Sequence, residues 1–229
     1  MNVASAKGGS SSPLLDAKKN APAVPDLTSS AERSIHLAGL LITFFITSCT
    51  APDTQHHIVI STREQKLALL DQGKLMATYP VSTSKFGLGD GRGSCRTPLG
   101  ELEVADKVGD GALPGSVFKD RRRTGEIVAP NSPGRDPIVT RILWLRGRER
   151  QNANAFARTI YIHGTPEERN IGRPVSYGCI RMRSSDVIQL YGIVGPGTQV
   201  TIVDLPLAAA VPALNPMRQM AEANPAGSH

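Results

Sequence analysis

The sequence predicts a mainly β domain. Aromatic residues make up only 4% of the chain, while glycine and proline number 22 and 17, a composition that suits frequent tight turns better than a helix bundle. The apolar residues fall in short β-branched or alternating runs separated by polar or glycine-containing breaks, and one stretch near the C-terminal end has helical spacing instead. With 40% hydrophobic residues in 229, the chain can build one real core flanked by tails.

The first 33 residues are mostly polar and rich in Ser, Ala and Pro. They read either as a disordered extension or as sequence upstream of the true start. Residues 34–49, SIHLAGLLITFFITSC, form an almost uncharged apolar run. The run is shorter than the roughly 20 residues that a membrane-spanning helix needs, and it fits the h-region of a signal peptide. Its last four residues, Ile46-Thr47-Ser48-Cys49, resemble a bacterial lipobox, which makes Cys49 the candidate site of lipidation and membrane anchoring. Export to the cell envelope is the expected localisation. Cleavage before Cys49 would remove four basic and three acidic residues and leave a net charge of +5, so the basic character belongs to the domain that follows.

That domain is expected over residues 56–204. The segment 56–84 contains three short strand-like runs separated by TRE and DQGK, the pattern of an antiparallel meander. A glycine-rich loop follows, then a strand near 100–107. The glycines do not make a phosphate loop, because no Gly-Lys-Ser/Thr follows them and no helical pattern opens after them. Residues 109–137 are dense in Gly, Pro and charge and read as a long irregular loop, a candidate cover for a functional site. Strands are expected over 137–147 and over 157–165, the latter ending at His163. A helix is expected over 184–194, with Ser184 or Ser185 as N-cap. A last strand closes the domain near 197–206, and residues 205–229 are expected to be a flexible tail.

Charge and cysteine content narrow the chemistry. A mild basic excess suits an acidic partner, but the run Arg121-Arg122-Arg123 has no interleaved aromatics, and nothing marks a nucleic-acid surface. The three cysteines, Cys49, Cys95 and Cys179, stand at separations that match no zinc, redox or disulfide framework. A zinc reading would have to recruit His56, His57, His163 and Cys179 without any recognised ligand spacing. No cofactor or metal is implied, Cys95 is assigned no role, and the oligomeric state is not legible.

The chemistry-bearing residues concentrate in YIHGTPEERNIGRPVSYGCIRMR, residues 161–183. His163 and Cys179 flank a polar loop long enough to fold back and bring imidazole and thiol together. A neighbouring imidazolium lowers a thiol pKa from about 8.5 by several units and makes a nucleophile. Either residue alone reads equally as packing, an inert buried thiol or a satisfied core histidine. Both lie in glycine-flanked turns at strand ends, however, where the backbone N–H groups of Gly178 and Cys179 can face an oxyanion.

Here the sequence resembles the L,D-transpeptidases of the YkuD type. Their signature is His-Gly-Thr/Ser, a loop, then Ser-His-Gly-Cys-Ile/Val-Arg-Met/Leu, and this chain has His163-Gly164-Thr165 and Ser176-Tyr177-Gly178-Cys179-Ile180-Arg181-Met182. Upstream, Thr97-Pro98-Leu99-Gly100 is similar to the family's Thr-Pro-x-Gly segment. The resemblance implies a β-sandwich-like catalytic domain acting on peptidoglycan stem peptides, with Cys179 as nucleophile and His163 as general base and acid. In that reading Cys179 forms a thioester with the third stem residue and D-alanine leaves. A neighbouring stem or a protein amine then takes the acyl group. Ser176 and Thr165 would orient the site, and Arg181 and Arg183 would pair with substrate carboxylates unless they serve structural ion pairs. Tyr177 departs from the family's histidine. If that position acts through its backbone carbonyl, accepting a hydrogen bond from the catalytic histidine, the chemistry is preserved. Hydrolysis by the same residues and a noncatalytic wall-binding module are the alternative readings.

Overall fold

β-branched residues and alternating polarity set the strands, and a computed structural model describes them over residues 51–214. The first three are β1 (His56–Ser61), β2 (Lys66–Asp71) and β3 (Lys74–Pro80), joined antiparallel as the breaks in the sequence predict. Gln72 and Gly73 turn the β2–β3 hairpin with positive φ at both positions, 47° and 79°. This geometry favours Gly at the second position. The remaining strands are β4 (Gly100–Val108), β5 (Ser116–Lys119), β6 (Arg122–Ile127), β7 (Ile138–Gly147), β8 (Tyr161–Gly164), β9 (Ile180–Met182) and β10 (Gln199–Val203).

The fold is mostly β, as expected, and the sheet is mixed. Its order is β3-β2-β1-β10-β4-β7-β5-β6, with β8 added to β7 and β9 to β8. Two pairings are parallel, β1 with β10 and β8 with β9. The main core draws on nearly the whole sheet: Ile58 and Ile60 from β1, Leu102 and Val104 from β4, Leu143 and Leu145 from β7, Ile162 from β8, Ile180 and Met182 from β9. Helix α1 (Ser184–Ile193) seals it with Val187, Leu190 and Tyr191.

Three expectations need correction. Residues 109–137 are not a long irregular loop, because β5 and β6 form a hairpin within them, paired to β7 through Val117↔Val139 and Phe118↔Ile138. Asp120 and Arg121, both at positive φ, turn that hairpin. Every residue of β6 is exposed, and the strand's charges, Arg122, Arg123 and Glu126, blunt an open sheet edge. Second, neither Ser184 nor Ser185 caps α1. The N-cap position is Arg183, and the carboxylate of Glu168 accepts from the Ser184 amide at 2.8 Å. A distant glutamate replaces the local serine because Ser184 Oγ is already engaged with Thr140 Oγ1 at 2.8 Å. Third, the tail is docked through residue 214. A short helix, α2 (Leu207–Ala210), packs Leu207 and Val211 onto Val59, Ala68 and Leu70. These side chains point to the face of the sheet opposite the main core, and without that cover they would meet water. The predicted disorder of 1–33, the apolar run 34–49 and Cys49 lie outside the described residues, as does the tail beyond 214.

Candidate active site

Strand alternation decides which side chains meet. Along β8 and β9, Ile162, Ile180 and Met182 point into the main core. Tyr161, His163, Cys179 and Arg181 therefore share the other face, since successive residues of a strand alternate. The parallel register places His163 opposite Arg181 and Ile162 opposite Ile180. Cys179 enters β9 one residue ahead of Ile180. The stretch between them thus brings the imidazole of β8 and the thiol at the entry to β9 to one face.

Cys179 is half-buried. It packs at the edge of a small apolar cluster of Ala112, Phe118, Ile142 and Tyr161, with Trp144 alongside. The β5–β6 hairpin therefore does cover this face, though as a sheet edge rather than a loop. Arg121, at the tip of the hairpin, lies 4.3 Å from the Trp144 ring centroid and donates to Tyr161 Oη at 3.3 Å. The thiol itself donates to the Thr159 carbonyl at 3.4 Å.

His163 is 5% exposed, and its Nδ1 lies 2.8 Å from the Gly164 carbonyl oxygen. A carbonyl only accepts, so Nδ1 carries the proton and Nε2 is left as the basic nitrogen of the neutral ring. The partner expected from the family pattern is the Tyr177 carbonyl. The histidine turns back to its own neighbour instead, at the end of β8.

The electrostatics differ from the expected thiolate–imidazolium pair. Burial lowers the His163 pKa to about 4, the Gly164 hydrogen bond opposes this, the positive charge of Arg181 adds to it and Asp136 opposes it. Burial also pushes the Cys179 thiol up, against the Tyr161 amide and the positive charges of Arg181 and Arg158. At neutral pH the resting pair is therefore thiol and neutral imidazole, because both groups lose water and a charge on either is disfavoured.

Around this pair the loop is tied down by short polar bonds. Ser176 Oγ donates to the Cys179 carbonyl at 2.6 Å and accepts from the Gly178 amide at 3.2 Å. Gly178 stands at φ +122°, and a Cβ there would lie 3.3 Å from both the Arg96 carbonyl oxygen and Ile160 Cδ1, so glycine is favoured on backbone conformation and space together. Thr97 Oγ1 donates to the Gly178 carbonyl at 3.0 Å and accepts from the Ser84 amide at 3.0 Å. The segment 82–84 is stitched to the site by bridges from Ser82 to Arg181 and from Ser84 to Ser176.

The arginines part company. Arg181 forms an ion pair with Asp136 at 2.7 Å, and Thr165 Oγ1 donates to the same carboxylate at 2.5 Å. Both Arg181 and Thr165 thus belong to an internal network that borders His163. Arg183 is exposed at the start of α1 and has no ion-pair partner among the described residues. Tyr177 is 58% exposed, with its Oη 3.1 Å from Lys85 Nζ and its ring 5.4 Å from that of Phe86. Beside it opens a groove of about 710 Å³ lined by Arg92, Ser94, Cys95, Asn154, Arg158 and Tyr177.

The ligands that a zinc site would need are dispersed. His56 is bonded to Asp53 and His57 to Thr201 on the β1–β10 side of the sheet. Sequence reading missed Asp136, Asp90 and Arg158, which carry no motif. Thr97 stood in the Thr-Pro segment without an assigned role.

Cys179 and the neutral His163 thus share one face of a mixed sheet. A family model described as the L,D-transpeptidase catalytic domain, YkuD, matches residues 55–202, and the chain belongs to that family. Among relatives carrying an L,D-transpeptidase name, YkuD of Bacillus subtilis (strain 168) is 30% identical over 148 residues, covering 64% of this chain and 65% of its own. YcfS of Escherichia coli (strain K12) is 29% identical over 174 residues, covering 74% and 51%. The chain thus spans between half and two thirds of the length of these two relatives. A solved structure, the L,D-transpeptidase from Mycobacterium smegmatis, aligns at 19% identity and a TM-score of 0.41 over 65% of this chain and 58% of the other.

Proposed function

We propose that the protein is a cysteine L,D-transpeptidase of peptidoglycan stem peptides, with Cys179 as nucleophile and His163 as base and acid. The observation that carries this reading is the β8–β9 register, which sets the imidazole of β8 and the thiol at the entry to β9 on one face of the sheet. Family membership supplies the substrate class.

The chemistry follows from the resting protonation. The neutral imidazole takes the thiol proton at Nε2 as Cys179 Sγ attacks the carbonyl of the third stem residue, so charge develops only in the transition state. The developing oxyanion meets the backbone of the Gly178–Cys179 turn. The Gly178 amide gives up its 3.2 Å bond to Ser176 Oγ for a stronger anionic acceptor. His163 then returns the proton to the departing amine of D-alanine, leaving a thioester. An amine of a second stem attacks to form a 3-3 crosslink, or a protein amine attaches to the wall, and the thiol is regenerated. Water in place of the amine gives hydrolysis by the same route.

The substrate lies outside the cytoplasmic membrane, and we propose that residues 34–49 direct export, with Cys49 as the lipid anchor. The intact mass of the native protein tests this: a mature chain that begins at Cys49 with an added lipid mass supports it, and one still carrying residues 1–33 overturns it.

Defined tetrapeptide muropeptides test the activity. Crosslinked dimers or protein adducts support transfer, tripeptides place the chain with the hydrolases, and the absence of any product together with an unmodified Cys179 leaves a wall-binding module.

A further inference from the structure

The glycine-rich loop 86–96 is pinned at its ends by a bridge between Leu88 and Thr97 and by Ser84 Oγ, which donates to the Cys95 carbonyl at 2.5 Å, and one buried side chain gathers its middle. The Arg158 side chain is 7% exposed and that of its partner Asp90 2%. All four Nη hydrogens have acceptors in the loop. Nη1 donates to Asp90 Oδ1 at 2.5 Å and to the Gly89 carbonyl at 3.3 Å, and Nη2 donates to the carbonyls of Ser94 at 2.7 Å and Arg96 at 2.6 Å. Asp90 is fixed in turn, its Oδ2 accepting from the Asn154 amide at 2.6 Å and its carbonyl from Asn154 Nδ2 at 2.9 Å. The remaining donor, Arg158 Nε, is buried without a partner.

This guanidinium also borders the Gly178–Cys179 turn. Its Nη2 would lie 3.6 Å from a Cβ placed on Gly178, and the same side chain lines the groove that runs to Tyr177. An arginine with every Nη hydrogen committed is a fixed charge, unlike a mobile surface cation. The charged and titratable groups around the Cys179 thiol are then Arg158 with Asp90, Arg181 with Asp136, the neutral His163, Tyr161 of the same apolar cluster, and Arg121 over Trp144 on the hairpin.

We propose that Arg158 is a positioning residue of this site: it gathers the glycine-rich loop into one wall of the substrate groove and holds a fixed positive charge beside the Cys179 turn. Asp90 balances that charge. The proposal rests on Cys179 being the nucleophile. It assigns Arg158 two separable effects, one on groove shape and one on thiol acidity.

The test follows the alkylation rate of Cys179 by iodoacetamide against pH, quantified by peptide mass so that Cys95 is read separately. It needs no turnover, so its failure is distinct from a failure of the transpeptidase reading. Arg158→Gln removes the charge and raises the apparent thiol pKa, and alkylation at pH 8 slows about tenfold for every pH unit by which that pKa rises. Asp90→Asn leaves the guanidinium uncompensated and moves the pKa the other way, speeding alkylation. A merely structural role loosens the loop in both variants and moves both profiles in the same direction, which overturns the proposal. Arg158→Lys keeps the charge but not the four carbonyl and carboxylate bonds. It is expected to restore the alkylation profile while KM for tetrapeptide muropeptides rises and kcat holds. If Arg158→Gln does not fold, the direction of the Asp90→Asn change alone decides, and a slower or unchanged rate contradicts the proposal.

Discussion

His163 and Arg181 stand opposite each other across the parallel β8–β9 pair, and Arg181, not the histidine, holds the carboxylate of Asp136. Among the described residues the imidazole is bonded only to the Gly164 carbonyl. A base with no carboxylate partner, buried beside an arginine, stays neutral, and several consequences can be measured.

Stability should depend on pH through His163. Its folded pKa, about 4, lies below the ordinary 6.5, so between these values the unfolded chain binds more protons. Stability therefore rises with pH across this window, and the contribution is lost as pH falls from about 6.5 to 4. At about 1.4 kcal/mol per pH unit the full loss is about 3 kcal/mol. Urea unfolding from pH 4 to 7 should show this slope in the parent protein and a smaller one in His163→Gln.

The resting thiol should be a poor nucleophile at neutral pH without substrate. Because burial raises its pKa, alkylation of Cys179 should climb continuously through the alkaline range. A plateau reached by pH 7 would mark the preformed thiolate that the structure argues against.

Asp136→Asn removes the counter-charge of Arg181, whose side chain is 12% exposed. Leaving a mostly buried cation without its partner should cost about 2 kcal/mol, less than for a fully dry pair. The uncompensated charge should also depress the His163 pKa further, which a titration of its ring resonances by NMR would detect.

Tyr177→His restores the residue expected from the family pattern. The Tyr177 ring meets Lys85 and Phe86 rather than the thiol, so Cys179 alkylation should change by no more than about twofold, as for an ordinary surface change. An effect on KM for muropeptides is where this groove-lining side chain should register.

Leu207→Ala should destabilise the fold by about 2 kcal/mol, because Leu207 and Val211 cover the outer face of β1 and β2. A chemical melt of the variant, or of a chain ending at Pro206, would show it. An unchanged midpoint would mean that the tail is dispensable.

Much of this was legible in the sequence because local pattern carried it. Alternation and β-branching marked β1 to β4, β7, β8 and β10, and helical spacing marked α1. What escaped was non-local. The β5–β6 hairpin hides in a Gly/Pro-rich stretch whose exposed strand has no apolar face. Arg158 and Asp90 lie 68 residues apart, so no spacing rule joins them, and Asp136 gains meaning only when β9 presents Arg181 to it. The thiolate–imidazolium pair failed as an expectation for a related reason: burial of both residues is a property of the closed sheet, and burial reverses the sign that proximity alone would give.

The most direct measurement of the central claim is peptide mass mapping of the protein quenched during turnover of a tetrapeptide muropeptide. The account predicts a thioester adduct on Cys179, equal in mass to the substrate minus D-alanine, absent in Cys179→Ala and strongly reduced in His163→Ala. Product formation by Cys179→Ala at the rate of the parent protein would contradict it.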